Sequence, residues 1–228
     1  MNTILLGPPG AGKGTLAAMM KVSFNLLHIS TGDLLREEMK GGTELGKKIK
    51  KYVDSGELVP DQVVIEMIEK KLSEKKTGSN GYMLDGFPRT TVQAQDLDKI
   101  LTKIGQPVDC ALYMEASLPI ILQRLTGRRV CRKCGAIIHI KNRPSKLVGV
   151  CDVCSGELYQ RPDDTEETIK NRMQIYAEKT APIVDYYAKQ GKLETLSGDE
   201  ETEDLLKIVT KIFNDAQRSN KVKDTTRY

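Results

Sequence analysis

Gly7-Pro8-Pro9-Gly10-Ala11-Gly12-Lys13-Gly14-Thr15, directly behind the apolar run Thr3-Ile4-Leu5-Leu6, decides how this chain is read. An apolar run that breaks at glycines and then enters helix-forming residues predicts a strand, a tight loop and a helix. Glycines let successive backbone N–H groups turn into one concavity. The next helix adds the positive end of its dipole. Lys13 adds a full charge, which suits the terminal phosphates of a nucleoside triphosphate. The pattern G-x-x-x-x-G-K-[ST] is met except at its last position, where Gly14 stands and Thr15 comes one residue later. A turn that binds nothing would gain little from glycines and a lysine at these spacings.

Working outward, residues 26–29, 82–84, 110–114 and 193–196 are short apolar runs like Thr3–Leu6. Amphipathic segments separate them, which predicts strand-helix-strand units and a parallel, doubly wound sheet. From Asp61, the residues Val64, Met67, Ile68 and Leu72 recur at helical spacing. Asp164-x-x-Glu167 reads as a capping box that opens a helix through Met173 and Tyr176. Pro182 is expected to interrupt that helix and Gly191 to end its continuation. Residues 204–213 read as a last amphipathic helix, and the polar, charged stretch 217–228 is expected to fray.

The chain has 228 residues, enough to bury a real core, with 29% charged and 39% hydrophobic residues. A net charge of +4 with both signs interspersed is too mild for a nucleic-acid binder but suits an anionic substrate. No apolar stretch approaches the roughly 20 residues of a membrane span. The chain enters a strand almost at once, so no signal peptide is expected, and the predicted setting is cytoplasmic with reduced thiols.

Residues 127–164 break the alternation and hold four of the five cysteines. Cys131-x-x-Cys134 and Cys151-x-x-Cys154 flank sixteen residues. Two such knuckles predict a four-thiolate metal site, with zinc the first choice and iron or cobalt the others. Disulfides are the alternative, and a reducing compartment disfavours them. Four protein ligands leave no open position, so the metal is expected to be structural. With that ligand set complete, His139 is read as a packing or surface residue and Cys110 as a core residue, while His28 has no assigned role.

Two more turns carry polar chemistry. Ser30-Thr31-Gly32-Asp33 with Arg36 comes after the second strand, and Asp85-Gly86-Phe87-Pro88-Arg89 with Gln93 after the third. In a parallel sheet such turns open at the carboxyl edge, where ligands bind. Asp85 is placed to orient magnesium, and Arg36 and Arg89 to grip a second phosphate. Arg124, Arg128, Arg129, Arg161 and Arg172 crowd around the cysteine-bearing insert, with Asp163 and Asp164 beside them. Arginines on the rim of a mobile module would reach phosphates only when it closes.

In chain order these motifs resemble those of the adenylate kinases, in the long form with a zinc-bearing lid, over essentially the whole chain up to the final tail. The resemblance implies an α/β fold of the P-loop NTPase kind, a five-stranded parallel sheet flanked by helices. Residues 1–30, 61–126 and 165–228 would form the core with its C-terminal tail. Residues 31–60 would be an inserted helical monophosphate-binding domain and 127–164 a small zinc-bound β lid.

The activity implied is reversible, Mg2+-dependent transfer between ATP and AMP to give two ADP. By the same resemblance, Gly10, Ala11, Gly12, Lys13, Gly14 and Thr15 would hold the ATP phosphates. Arg124 and Arg128 would also contact ATP, with Arg124 near the adenine. Thr31, Arg36, Glu57, Val59, Gly86, Arg89, Gln93, Arg161 and Arg172 would form the AMP side, with Thr31 and Gln93 on the adenine. Lys13, Arg89, Arg124, Arg128, Arg161 and Arg172 would be catalytic through charge stabilisation. Asp85 would orient magnesium, Asp163 and Asp164 would brace the lid hinge, and Cys131, Cys134, Cys151 and Cys154 would bind Zn2+. Partners would be nucleotides only, without nucleic acid or membrane, and the enzyme a monomer.

The chain departs from the family pattern at Leu16, where bacterial members often carry Gln, and at Glu57, where some carry Lys. Residues 19–27 are also unusual, and Cys154 stands where some relatives have Asp. Rival readings are a kinase for another monophosphate or with GTP as donor, a degenerate inactive binding protein, and a nucleic-acid binder. The last would use the basic cluster Arg128, Arg132, Lys133, Lys141 and Arg143, which lacks interleaved aromatics for stacking.

Overall fold

The computed structural model describes residues 1–74, 79–200 and 202–225. Five parallel strands form the main sheet: β1 (Thr3–Leu6), β2 (Leu27–Ser30), β3 (Tyr82–Asp85), β4 (Cys110–Glu115) and β8 (Leu193–Ser197), in the order β2-β3-β1-β4-β8. These are the expected strands, with β2 beginning one residue late. Side-chain alternation along each strand feeds two cores. Ile4, Leu6, Tyr82, Leu84 and Ala111 face one of them, where α4 (Asp61–Ser73), α5 (Thr91–Lys103) and α8 (Pro182–Lys189) supply Ile65, Leu97 and Ile183. Leu5, Met83, Leu112 and Met114 face the other, under α1 (Lys13–Phe24) and α9 (Thr202–Thr225), which supply Leu16, Met20, Val209 and Phe213. Leu16 is therefore a core residue.

α2 (Thr31–Lys40) and α3 (Glu44–Ser55) fill the polar interruption after β2. α6 (Leu118–Thr126) leads into a separate three-stranded antiparallel sheet of β5 (Arg128–Cys131), β6 (Ile137–His139) and β7 (Leu158–Tyr159), in the order β6-β5-β7. Its buried apolar residues are few, Val130, Cys131, Ile138 and Cys151, too small a core to hold a module without a staple.

The expected capping box at Asp164 is not formed. The helix α7 (Glu166–Ile175) is capped by Thr165, whose hydroxyl accepts from Thr168 N at 3.2 Å. The Asp164 carboxylate is fully buried and committed to arginine instead. After α7 a π turn (Tyr176–Thr180) intervenes, and Pro182 then sits in the first turn of α8, where its missing N–H costs nothing. α9 is longer than the expected 204–213. Its backbone is helical through Thr225, across most of the stretch expected to fray, and residues 226–228 lie outside the described residues.

Candidate functional site

The turn after β1 rises from the centre of the sheet, between β3 and β4. Gly12, the residue before α1, has φ 102°, a conformation that a side chain would strain. α1 has no side-chain cap, so its first N–H groups remain available to an anion. Lys13 arches back over the loop and donates to the carbonyls of Gly7 and Pro8, both at 2.8 Å. Burial lowers its ammonium to about 8; Asp85 opposes that shift, and the guanidinium groups of Arg89, Arg172 and Arg128 add to it.

Asp85 ends β3 beside this loop. A Cβ built on Gly14 would lie 3.7 Å from Asp85 Oδ2, so the glycine that replaces Ser or Thr in the general pattern faces this carboxylate. His28, unassigned from sequence, places its Nε2 3.5 Å from Asp85 Oδ2.

The turn after β3 is built from close approaches. Thr31 is 2% exposed, and its hydroxyl donates to Gly86 O at 2.7 Å. A Cβ at Gly86 would stand 2.9 Å from that hydroxyl and 3.1 Å from Arg89 Nη2, so only glycine fits. Phe87-Pro88 is a cis peptide. Arg89 Nε donates to Gly86 O at 2.8 Å, and its carbonyl accepts from Thr180 Oγ1 at 2.8 Å. Gln93, also 2% exposed, lies one turn into α5 beneath this loop. Val59 is buried in the core next to α2 and α3, and Glu57 N closes the end of α3 on Tyr52 O.

The arginines from distant segments converge. Burial lowers Arg89 and Arg161 each to about 10. Arg172 adds repulsion at Arg89, while Arg128 and Arg36 do so at Arg161. Burial also lowers Arg172, against the pull of Asp163. Lys13, Arg36, Arg89, Arg128, Arg161 and Arg172 thus form one mutually repelling group of cations around the loop. Three carboxylates hold part of it in place. Arg128 Nε donates to Asp164 Oδ2 at 2.8 Å and its Nη2 pairs with Oδ1; Arg172 Nη1 donates to Asp163 Oδ2 at 2.9 Å; and Arg36 pairs with Asp33. Buried Arg161 Nε has no hydrogen-bond partner among the described residues. Arg124 Nη1 donates to Ala11 O in the loop at 3.3 Å. Arg129 turns to the carbonyls of Thr126 and Arg128.

In the small sheet, the Sγ atoms of Cys131, Cys134, Cys151 and Cys154 all lie within 4.8 Å of one another. Cys131 and Cys154 are 3.4 Å apart, Cys134 and Cys151 3.6 Å. A tetrahedral metal–thiolate site with bonds of about 2.3 Å needs sulfurs about 3.8 Å apart, so the donors fit a zinc-bearing lid. Backbone N–H groups of Cys134 and Lys133 lower the Cys131 thiol, while crowding by the other three thiols raises that of Cys134, so the cluster without an ion favours a thiolate at Cys131 first. The knuckles differ in one respect: Gly135 takes φ 74° after the first pair, whereas Ser155 takes φ 57° after the second.

His139 is half-buried and packs at the base of the insert, within the expected packing or surface role. Its Nδ1 accepts from the backbone of Lys141 and Asn142, and its Nε2 lies 3.0 Å from Gln123 O in α6. A Cβ on Gly127 would come within 2.3 Å of that ring, so glycine makes room for it at the base of the insert. Cys110 is buried in β4, as expected, and burial raises its thiol to about 12.

Sequence reading missed Asp61 and Thr180, which hold the Arg89–Gln93 segment from neighbouring elements, and Thr90, which caps α5 within that segment and donates to Asp61. Thr90-x-x-Gln93 carries the capping-box spacing that could have drawn attention to it. Asp61 and Thr180 make contacts with no local signature.

The adenylate kinase family model matches residues 5–192. The chain is 53% identical over 211 residues to an adenylate kinase of Caldicellulosiruptor bescii, covering 92% of this chain and 98% of that protein. It is 48% identical over 217 residues to one from Methanothrix thermoacetophila, covering 95% and 100% respectively. It is 47% identical over 215 residues to one from Clostridioides difficile, covering 94% and 96%. With matches of this extent, the chain belongs to the adenylate kinase family.

Proposed function

We propose that this protein catalyses the reversible, Mg2+-dependent reaction ATP + AMP ⇌ 2 ADP. The observation that carries it is the convergence of Lys13, Arg36, Arg89, Arg128, Arg161 and Arg172 at the carboxyl edge of the sheet, with their charges only partly matched by carboxylates. Such a group has no structural use by itself, and it suits two polyphosphate chains brought end to end.

No covalent intermediate is needed. Gly10 to Thr15 and Lys13 hold the ATP phosphates through backbone N–H groups and one ammonium. Arg124 and Arg128 lie on the ATP side. Arg36 and Arg89 grip the AMP phosphate, and Arg161 and Arg172 the group in transfer. Their charges oppose the repulsion between the nucleotides and stabilise charge on the equatorial oxygens during in-line displacement. Magnesium bound to ATP would supply charge neutralisation at the phosphate oxygens, with Asp85 to orient it and Thr15 as the hydroxyl residue of the loop. Thr31 and Gln93 read the acceptor base, with Glu57, Val59 and Gly86 shaping that side.

Residues 1–30, 61–126 and 165–228 act as the core, 31–60 as the monophosphate-binding domain and 127–164 as the lid, braced by Asp163 and Asp164. Zinc on the four cysteines gives the lid its rigidity. Lid closure excludes water, so that AMP and not water accepts the phosphoryl group. The enzyme works on soluble nucleotides as a cytoplasmic monomer.

ADP formation from Mg·ATP with AMP, run beside CMP, UMP and GMP, tests this. Turnover confined to AMP is expected. Preference for another monophosphate overturns the acceptor assignment, and no turnover in folded, metal-loaded protein overturns the enzyme.

A further inference from the structure

Gln93 is buried, and the two groups that hold its amide have a fixed hydrogen-bonding sense. Its Oε1 accepts from the backbone N–H of Arg89 at 2.7 Å, and its Nε2 donates to Asp61 Oδ1 at 2.7 Å. A backbone N–H only donates and a carboxylate only accepts. Rotating the amide by half a turn would make both contacts repulsive, so one orientation is imposed. Asp61 is itself anchored. Its Oδ2 accepts from Thr90 Oγ1 at 3.0 Å, and Thr90 Oγ1 accepts from Gln93 N at 3.1 Å. Asp61 also begins α4, where the helix dipole favours negative charge.

On the assignment of Gln93 as reader of the acceptor base, we propose that Asp61 is a specificity-determining positioning residue. It fixes the Gln93 amide in the order that accepts a 6-aminopurine and rejects a 6-oxopurine. After its two protein contacts the amide keeps one N–H and one lone pair. Adenine offers a ring-nitrogen acceptor beside an exocyclic amino donor, which an amide side chain can meet bidentately. Hypoxanthine carries a carbonyl oxygen in place of the amino group and a protonated ring nitrogen beside it. On that edge its donor and acceptor are exchanged. A glutamine free to rotate would satisfy either base. One pinned between a carboxylate and a backbone N–H satisfies only the first. Asp61 touches no substrate and acts through Gln93.

IMP is the probe, because it differs from AMP at that edge and lacks the extra amino group of GMP. kcat/KM for AMP and for IMP is measured in the wild type, D61N, Q93A and the double variant, with KM for ATP and the thermal midpoint alongside. D61N keeps the shape of the side chain but presents an amide that faces Gln93 in either sense. The AMP:IMP ratio is expected to fall by about tenfold or more in D61N, with KM for ATP unchanged. In the Q93A background, D61N should have no further effect on the ratio, which a merely structural role would not produce. If Q93A loses discrimination while D61N keeps the wild-type ratio, or loses AMP and IMP activity equally, the role of Asp61 is overturned and that of Gln93 stands. A Q93A enzyme with the wild-type ratio overturns both. If D61N melts below the assay temperature, Asp61→Ser, whose hydroxyl donates or accepts, is read by the same criteria.

Discussion

Removing the Asp164 carboxylate should destabilise the protein more than any other single surface-to-core polar change in the lid base. Asp164 is fully buried, accepts from both Arg128 Nε and Nη2, and lies 3.8 Å from Arg172. Breaking a buried pair from one side costs about 3–5 kcal/mol, because the partner stays charged and desolvated. Two features place Asp164→Ala at the low end, about 3 kcal/mol: the Arg128 side chain retains 15% exposure, and Arg172 keeps Asp163 at 2.9 Å. For a chain of this size each kcal/mol shifts the midpoint by about 2–4 °C, so calorimetry should show a fall of about 6–12 °C. Adding Arg128→Met removes the stranded cation and should recover part of that loss. A fall under about 3 °C, or a double variant whose loss is the sum of the singles, would refute the account of the pair as a buried, mutually dependent unit.

Three further outcomes are expected. Ser155→Gly relieves a left-handed backbone at the second knuckle and should stabilise the lid by about 0.5–1 kcal/mol, read as longer metal retention against a competing chelator; faster loss contradicts it. Chelation of the lid metal should lower the thermal midpoint more than initial turnover at low temperature, and an equal loss of both with the lid still folded contradicts a structural role. Lys13 titrates near 8 in the free protein, and bound triphosphate favours its charged form. Affinity for ATP should therefore fall as pH rises through about 8, with proton uptake on binding seen by calorimetry in two buffers. The linked effect on stability has the opposite slope. Because the folded value lies below the unfolded one of about 10.4, free-protein stability rises with pH between them.

The strands, the phosphate loop and the paired cysteines were legible because each depends on neighbours within a few residues. Thr3–Leu6 succeeded by glycines and Lys13 encodes its own turn. Asp164 shows where local reading fails. Its spacing to Glu167 satisfies a capping rule, yet Arg128, distant in sequence and facing it across the base of the insert, competes for the carboxylate and wins, leaving Thr165 to cap. His139 was judged by its metal-binding neighbours, but its contacts are set by Gly127 and Gln123 in a different element. Asp61 was visible only as the start of a periodic helix; its bonds to Thr90 and Gln93 exist because α4 packs beside α5.

The π turn at Tyr176–Thr180 bears on which length changes this chain can survive. A π turn adds about one residue to the helical count, rotating the downstream helix by about 100° relative to an uninterrupted α-helix. Before it, Ile169 packs with Ile121 and Leu125 beneath the lid; after it, Ile183 and Tyr187 enter the main core. The two faces are thus out of phase, and Thr180 reaches Arg89 O from the offset between them. A single-residue deletion inside this turn would remove that offset, place Pro182 where an uninterrupted α-helix needs an N–H, and turn Ile183 and Tyr187 away from the main core. The same deletion in the exposed loop 141–149 of the insert would disturb no such phase. Tolerance to insertion and deletion along this chain should therefore track angular register and not distance from the phosphate loop.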